Sequence, residues 1–517
     1  MSNTFMNGLK MASNYTRTEN NAITHRTTTS ALLDLFAMGA AYRTRSEEDC
    51  ILLFRNAFAE NPTYALKCLF YIADVRGGQG ERRFFRVCIN DLAKTHPEVV
   101  RRNLELIPIY RRWDDLYALM DTPLESAVFL FMKKQLALDV QSKTPSLLGK
   151  WLKSENASSK ETKALAIRTR KAFGMTAKQY RKTLSYLRER INVLERLMSA
   201  GKWDEIEFDK IPSRAGLIYK NAFARHDVER AKSEKNVQTY ADFAKDETTK
   251  VNAKALYPYE VVAKGIEVMG IRRSGWGYSS HAAKPMDDTD RLMVNKYWEN
   301  LENYFQDKHF NALMVVDTSA SMRGCDAAAP INVAISLGMY CAEKAKGPFA
   351  GHYVSFSRTP RLVSINGVDF CDKVKRIYDA NLCENTNIEA TFDMLLDVAL
   401  NSGCSNADLP EYLCIVSDME FDTATSQGWG YNRTTFNTKT VMESIREKWA
   451  RHGLRMPKII YWNVQARQNN IPEDLGCGNI SYVSGMSPSI FDTIMSGKSG
   501  FELMMEKLNS PRYEVIQ

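Results

Sequence analysis

The sequence predicts two folds in one chain: a helical-repeat half over residues 31–309 and a doubly wound α/β half over 310–517, behind an arm of residues 1–30. Three observations carry this. In the first half, helix pairs recur about every 35–45 residues without strands, the spacing of an α-solenoid of HEAT type. From Asn311 onward, short apolar runs alternate with helical stretches, as in an open parallel sheet. Charge divides at the same point. Residues 310–517 hold 19 Lys and Arg against 23 Asp and Glu, whereas residues 1–309 hold 50 against 38, a surplus of +12. A basic surplus is the footprint of a polyanion partner, and it is also compatible with plain solubility.

Taken in order, residues 1–30 are rich in Asn and Thr without periodicity and read as a loosely tied arm. Helical spacing begins at Ala31, Leu32, Leu35 and Phe36. It continues over Cys50 to Phe58 and Tyr64 to Ile72, with Asn61-Pro62 as punctuation between them. Arg76-Gly77-Gly78-Gln79-Gly80-Glu81-Arg82-Arg83 then opens another helix. Such a turn could cradle phosphate through backbone N–H groups, with Arg76, Arg82 and Arg83 beside it, or it could simply join two helices. It lacks the Lys-Ser/Thr of a P-loop, so nucleotide hydrolysis is not indicated. Further helices are expected at Phe84 to Ala93, Val99 to Leu106 and Trp113 to Met120.

The densest charge lies between Lys160 and Lys202, where twelve basic residues face three acids. Tyr180, Leu184, Leu187 and Ile191 form an apolar stripe at helical spacing, which reads as core. Lys171, Lys178, Arg181, Lys182 and Arg188 are expected to project from the other faces. Most charge runs are solvated faces laced by i,i+4 ion pairs. Here acids are too few for that, which points to an anion partner. Residues 229–256 are polar and still helical in pattern. Arg272 to Asp288 reads as a flexible loop, in which Trp276 and Tyr278 could stack on bases or pack on the domain surface.

The α/β half turns on NALMVVDTSASMRG. Leu313 to Val316 form a buried strand ending at Asp317, and Ser319 and Ser321 follow at alternate positions. Asn385-Thr386-Asn387 precedes the helix Ile388 to Leu400, and the strand Leu413 to Ser417 ends at Asp418. In a doubly wound sheet, ligands gather outside the carboxyl ends of the strands. The alternation runs on through His352 to Phe356, Lys458 to Val464 and Ile480 to Val483 as strands. A polar insertion, residues 422–437, lies beside the same end of the sheet.

Composition excludes several classes. With 44% hydrophobic and 25% charged residues the chain is an ordinary globular protein. No apolar run reaches membrane-span length, and the amino terminus has no apolar core of a secretory signal. Ten Cys without C-x-x-C and seven scattered His argue against a structural zinc site and fit a reducing, cytoplasmic setting. No Ser/His/Asp spacing, His cluster or paired nuclease carboxylates point to an enzyme.

D-x-S-x-S at Asp317, the Thr386 loop and Asp418 together resemble the metal-ion-dependent adhesion site of von Willebrand factor A domains, which have a Rossmann-like fold. The whole chain resembles the Ro autoantigen family, in which a ring of HEAT-like helices, the TROVE module, is closed by such a domain. TENNAITHRTTTSALLDLFA, DVRGGQGERRFF, YRRWDDL, AKQYRKTLSYLRERINVLE, VVDTSASM, CIVSDMEFD and YVSGMSPSIF carry that resemblance. It implies a cytoplasmic ribonucleoprotein component that binds small noncoding RNA on basic helices and takes single-stranded ends of misfolded RNA. It implies no catalysis. It also implies Mg²⁺ held by Asp317, Ser319, Ser321, Thr386 and Asp418, with an open position for a carboxylate. The alternative it leaves open is a scaffold that binds an acidic protein partner through that metal.

Overall fold

The computed structural model describes residues 13–233, 237–274, 277–280, 288–306, 308–324, 326–356, 360–380, 387–422, 440–473, 480–498 and 500–517. The first half is helical. Its main helices are α1 (Ala31–Met38), α2 (Glu47–Glu60), α3 (Pro62–Ala73), α4 (Arg83–Thr95), α5 (Glu125–Gln141), α6 (Lys160–Phe173), α7 (Ala177–Arg190), α8 (Ser213–Arg225), α9 (Pro258–Val268) and α10 (Asp288–Glu299). Local chemistry sets their ends. Ser30, Ser46, Asn61 and Ser159 each cap the following helix by accepting a backbone N–H. Thr176 and Gln179 form a reciprocal capping box on α7, and Gly174, at φ +70°, closes α6 in the left-handed region.

The second half holds a sheet in the order β10-β9-β8-β5-β6-β7. Its strands are β5 (Ala312–Asp317), β6 (His352–Phe356), β7 (Arg361–Ser364), β8 (Tyr412–Ser417), β9 (Lys458–Asn463) and β10 (Ile480–Ser484). All pairs are parallel except the edge pair of β6 with β7. Every residue of β5 is buried, as a parallel strand covered on both faces requires. Helix α11 (Pro330–Lys344) packs on β5, β6 and β8. It approaches closely at Gly338, where a Cβ would lie 2.7 Å from Val316 Cγ2. Helices α12 (Phe370–Ala380), α13 (Ile388–Asn401), α14 (Val441–Arg451), α15 (Gly500–Leu508) and α16 (Pro511–Glu514) complete this half.

Both ends of the helical half pack against the α/β half. Helix α1 lies on β10 and α15, and α3 on α15 and α16; at the other end, α9 lies on α11 and α12. The first junction is polar as well as apolar. Arg512 Nη2 donates to Asp74 Oδ1 at 2.7 Å, and Tyr513 Oη to Asp74 Oδ2 at 2.9 Å. The chain therefore leaves the α/β half and returns to it.

Several elements depart from the sequence reading. The arm is docked rather than loose: β1 (Tyr15–Arg17) and β2 (Ile23–His25) form a hairpin, and Thr18 Oγ1 donates to Phe421 O at 2.7 Å. His25 and Ile471 exchange backbone bonds. Trp113–Leu119 is a 3₁₀ turn, not an α-helix. Residues 271–274 and 277–280 form the β3–β4 hairpin inside the expected loop. The stretch 229–256 holds only short helices, Asp227–Ala231 and Tyr240–Lys245, because Asp246 and Thr249 turn the chain through local side-chain bonds.

Candidate metal centre and basic face

Strand β5 lies between β6 and β8, and the strand order reverses there: β6 follows on one side, and β8, β9 and β10 build out on the other. That switch point opens a crevice at the carboxyl ends of β5 and β8. Asp317 ends β5 and Asp418 follows β8, and they are 0% and 1% exposed. Asp317 Oδ1 accepts from Ser319 N at 2.8 Å, and Oδ2 from Ser417 Oγ at 2.6 Å. Ser319 Oγ and Ser321 Oγ lie 3.0 Å apart, and Ser321 lies close enough to Asp418 to lower its pKa. The structure thus brings together Asp317, Ser319, Ser321 and Asp418. Thr386, the fifth expected ligand, lies outside the described residues, as do most of the 422–437 insertion and Trp276.

The electrostatics are unbalanced. Burial, and then the neighbouring Asp418 carboxylate, push Asp317 up to about 7. Burial raises Asp418 too, against the pull of Ser321 and Arg467. Among the described residues Asp418 Oδ2 has no hydrogen-bond donor, and its counter-charge is Arg467 Nε at 3.6 Å. Met419, next in the chain, is held at φ 64°, a strained left-handed conformation for a side chain of its size. Its N–H bonds Ser417 Oγ at 2.9 Å. Two buried carboxylates with two hydroxyls form an oxygen-only donor set. Among the described residues no group of three or more His, Cys, Asp or Glu gathers anywhere.

Ser417, Glu420, Arg467 and Glu19 complete the surroundings, and sequence reading missed them. Burial pushes Glu420 up to about 7, and its carboxylate accepts Glu19 N–H at 2.7 Å. Arg467 Nη1 reaches Glu19 Oε2 at 3.3 Å, while Nη2 donates to the Ser321 carbonyl. Ser417 was legible as the neighbour of Asp418, and Arg467 as a charge just past the carboxyl end of β9. Nothing local marks Glu19, which arrives from the arm.

Nine of the twelve basic residues of the block fall into three sets. Arg168, Arg170, Arg196 and Lys202 are ion-paired with Glu125, Glu155, Glu189 and Glu205. Arg188 does not project outward as expected. Its guanidinium donates to Gly149 O, Ser154 Oγ and Leu152 O, and burial lowers its pKa. Lys171, Lys178, Arg181 and Lys182 are exposed and carry no ion pair among the described residues. The glycine turn connects two helices, and Gln79, Gly80 and Glu81 give their N–H groups to the Tyr71, Asp74 and Ile72 carbonyls, which takes those three from any phosphate. Arg76 is exposed beside it. Arg82 is held by Asp114 and Asp115, and Arg83 donates to Arg45 O and Cys50 Sγ.

A family model described as a domain of unknown function, DUF2828, matches residues 18–120 and 141–308. A second, DUF7788, also a domain of unknown function, matches residues 311–514. An uncharacterised protein of Acanthamoeba polyphaga mimivirus is 28% identical over 524 residues, covering 94% of this chain and 85% of its own.

Proposed function

The chain belongs to the DUF2828 family, and from that premise we propose that it is a Ro-like RNA-binding protein, a HEAT-like helical ring closed by a von Willebrand A-like domain. The observation that carries the reading is the row Lys171, Lys178, Arg181 and Lys182, exposed on α6 and α7 with no acidic partner among the described residues. A face made for solubility would resemble the Arg168–Glu125 and Arg196–Glu189 pairs nearby. Unpaired Lys and Arg instead suit phosphate, and binding through them falls steeply with salt. The RNA it holds is small noncoding or misfolded RNA, with single-stranded ends preferred.

The metal in this reading is Mg²⁺. Asp317, Ser319, Ser321 and Asp418 offer hard oxygen donors, and the donorless Asp418 Oδ2 and the mutual repulsion of the carboxylates fit a divalent cation. The ion would neutralise the crevice and fasten β5 to β8; no catalytic role is assigned to it. A scaffold that takes an acidic partner at this metal is the second reading. It is less favoured because Arg467 and Glu19 of the chain itself already stand over Asp418.

A gel-shift assay with structured and single-stranded RNA tests the proposal. The Lys178→Glu/Arg181→Glu/Lys182→Glu variant should bind at least about tenfold more weakly at 0.1 M salt, with a shallower salt dependence by about 0.7 per lost phosphate contact. Affinity unchanged by the triple reversal would remove this face from consideration.

A further inference from the structure

Arg111 and Arg112 are neighbours with different fates. Arg111 is buried, donates to Ala73 O at 2.6 Å and faces Asp115 at 3.4 Å. Arg112 has no carboxylate within ion-pair distance among the described residues. Its guanidinium carbon lies instead 4.8 Å from the ring centre of Trp151, with Lys150 Nζ 5.7 Å from the same ring. Arg82, Arg214 and Arg111 stand near it, opposed by Asp114, and Lys150 shares the Trp151 ring; among the described residues the ion partners of Arg82, Arg86, Arg111 and Lys153 are Asp114 and Asp115. Asp114 and Asp115 are already engaged by Arg82, Arg86 and Arg111. Burial, with Arg82, Arg214 and Arg111 nearby, holds the Arg112 pKa below its ordinary value. Burial, with Arg86 and Arg82 nearby, does the same for Lys153.

An unpaired guanidinium half out of water, among like charges, is an unfavourable arrangement that an anion relieves. Stacking occupies the face of the Arg112 guanidinium and leaves its edge N–H groups free. Those edges form the fork that matches two phosphate oxygens. Trp151 also lines a cavity of about 530 Å³, together with Lys150, Ser154, Tyr180, the exposed Arg181 and two acids, Glu195 and Glu155, the latter already paired with Arg170. That volume falls in the range of small-ligand sites.

We propose that Arg112, laid on Trp151 and flanked by Lys150 and Arg82, is a phosphate-binding site for one backbone phosphate of single-stranded nucleic acid. The cavity beside Trp151 takes the adjoining nucleotide. This rests on the RNA-binding reading above and adds to it a partly buried phosphate clamp, distinct from the exposed lysines of α7. A half-buried guanidinium is open to a single strand that can bend into the cavity and closed to a rigid duplex.

Fluorescence anisotropy on the full-length protein tests it, with a labelled ten-nucleotide oligouridylate, a ten-base-pair RNA duplex, and inorganic pyrophosphate as competitor. Arg112→Gln should bind the single strand about tenfold more weakly or worse, as loss of a charge-assisted bond implies, and bind the duplex unchanged. Lys150→Gln should lose a few-fold on the single strand only, and it stands in if Arg112→Gln melts well below wild type. Single-strand affinity intact in both variants, while Lys178→Glu/Lys182→Glu lowers it, overturns the clamp and leaves the RNA reading standing. No RNA binding by any of the proteins overturns both. Pyrophosphate raising the melting temperature of wild type but not of Arg112→Gln would then assign the residue to a free phosphate compound instead.

Discussion

Two pairs of buried carboxylates sit at the centres of the two halves, and their surroundings are opposite. In the helical half, Asp115 Oδ1 accepts from Arg82 Nε at 2.9 Å and Arg86 Nε at 2.5 Å, and Oδ2 faces Arg111 at 3.4 Å. Asp114 shares Arg82 and Arg86 and has Lys153 at 3.8 Å. Burial would raise Asp115, yet Arg111, Arg86 and Arg82 hold it below the ordinary carboxylate range. In the α/β half, Asp418 has Arg467 at 3.6 Å, Asp317 has no ion pair among the described residues, and both are pushed up. The first pair is a finished structural tie between α4 and the 3₁₀ turn. The second is short of positive charge, which is the feature that the proposed cation would meet.

Removing one acid from each pair should therefore give results of different size. Asp115→Asn leaves the buried Arg111 without its carboxylate and Arg82 and Arg86 with Asp114 alone, and should cost about 3 kcal/mol or more. Asp317→Asn relieves repulsion and keeps a side chain able to bond Ser417 and Ser319. In chelator it should stay within about 1 kcal/mol of wild type. Urea unfolding of the two variants, followed by circular dichroism, measures both. Equal losses would mean that the two pairs do the same structural work.

The pairs should also separate by pH. Asp317 has a folded pKa of about 7, above the unfolded value of about 3.9. Between those values the native state binds the extra proton, so stability falls as pH rises through that window. Glu420, also pushed up to about 7, adds to the same slope. Asp115 is depressed, so its contribution is present above the unfolded pKa and is lost as pH falls through the lower folded value. Without divalent ions, the melting temperature should climb by a few degrees from pH 8 to pH 5 and drop only below about pH 4. Asp317→Asn should flatten the upper part of that curve. A flat wild-type curve from pH 8 to pH 5 would contradict the charge shortage at β5 and β8.

The same contrast explains what could be read in the sequence. The strands of the α/β half announce themselves through apolar runs that stop at Asp317 and Asp418, so four of the five expected donors are found together. Partners brought from afar were not legible. Arg82 and Arg86 meet Asp114 and Asp115 across some thirty residues, and Glu19 reaches Arg467 across 448. Arg188 was misread for a different reason. It stands four residues after Leu184 and next to Leu187, on the buried side of α7, so its long stem carries the charge inward to carbonyls at 149 and 152. Counting charges in a block does not reveal which of them face solvent.

The smallest expected effect falls on Arg467, the counter-charge of Asp418 among the described residues. Its side chain is 31% exposed, so the ion pair with Asp418 should be worth less than about 1 kcal/mol, and Arg467→Gln should barely change stability in chelator. Its effect should appear when Mg²⁺ is added. A guanidinium beside Asp418 competes with a cation for the same carboxylate, so its removal should strengthen cation binding, and stabilisation by a bound ion grows with concentration over dissociation constant. The rise in melting temperature at 5 mM Mg²⁺ should be larger in Arg467→Gln than in wild type, and absent in Asp317→Asn. A smaller rise would mean that Arg467 holds the Ser321 backbone in place for the ion rather than standing in for it, because its other nitrogen bonds that carbonyl. Thermal melts of the three proteins, with and without Mg²⁺, separate the two roles, since competition and support move the wild-type increment in opposite directions.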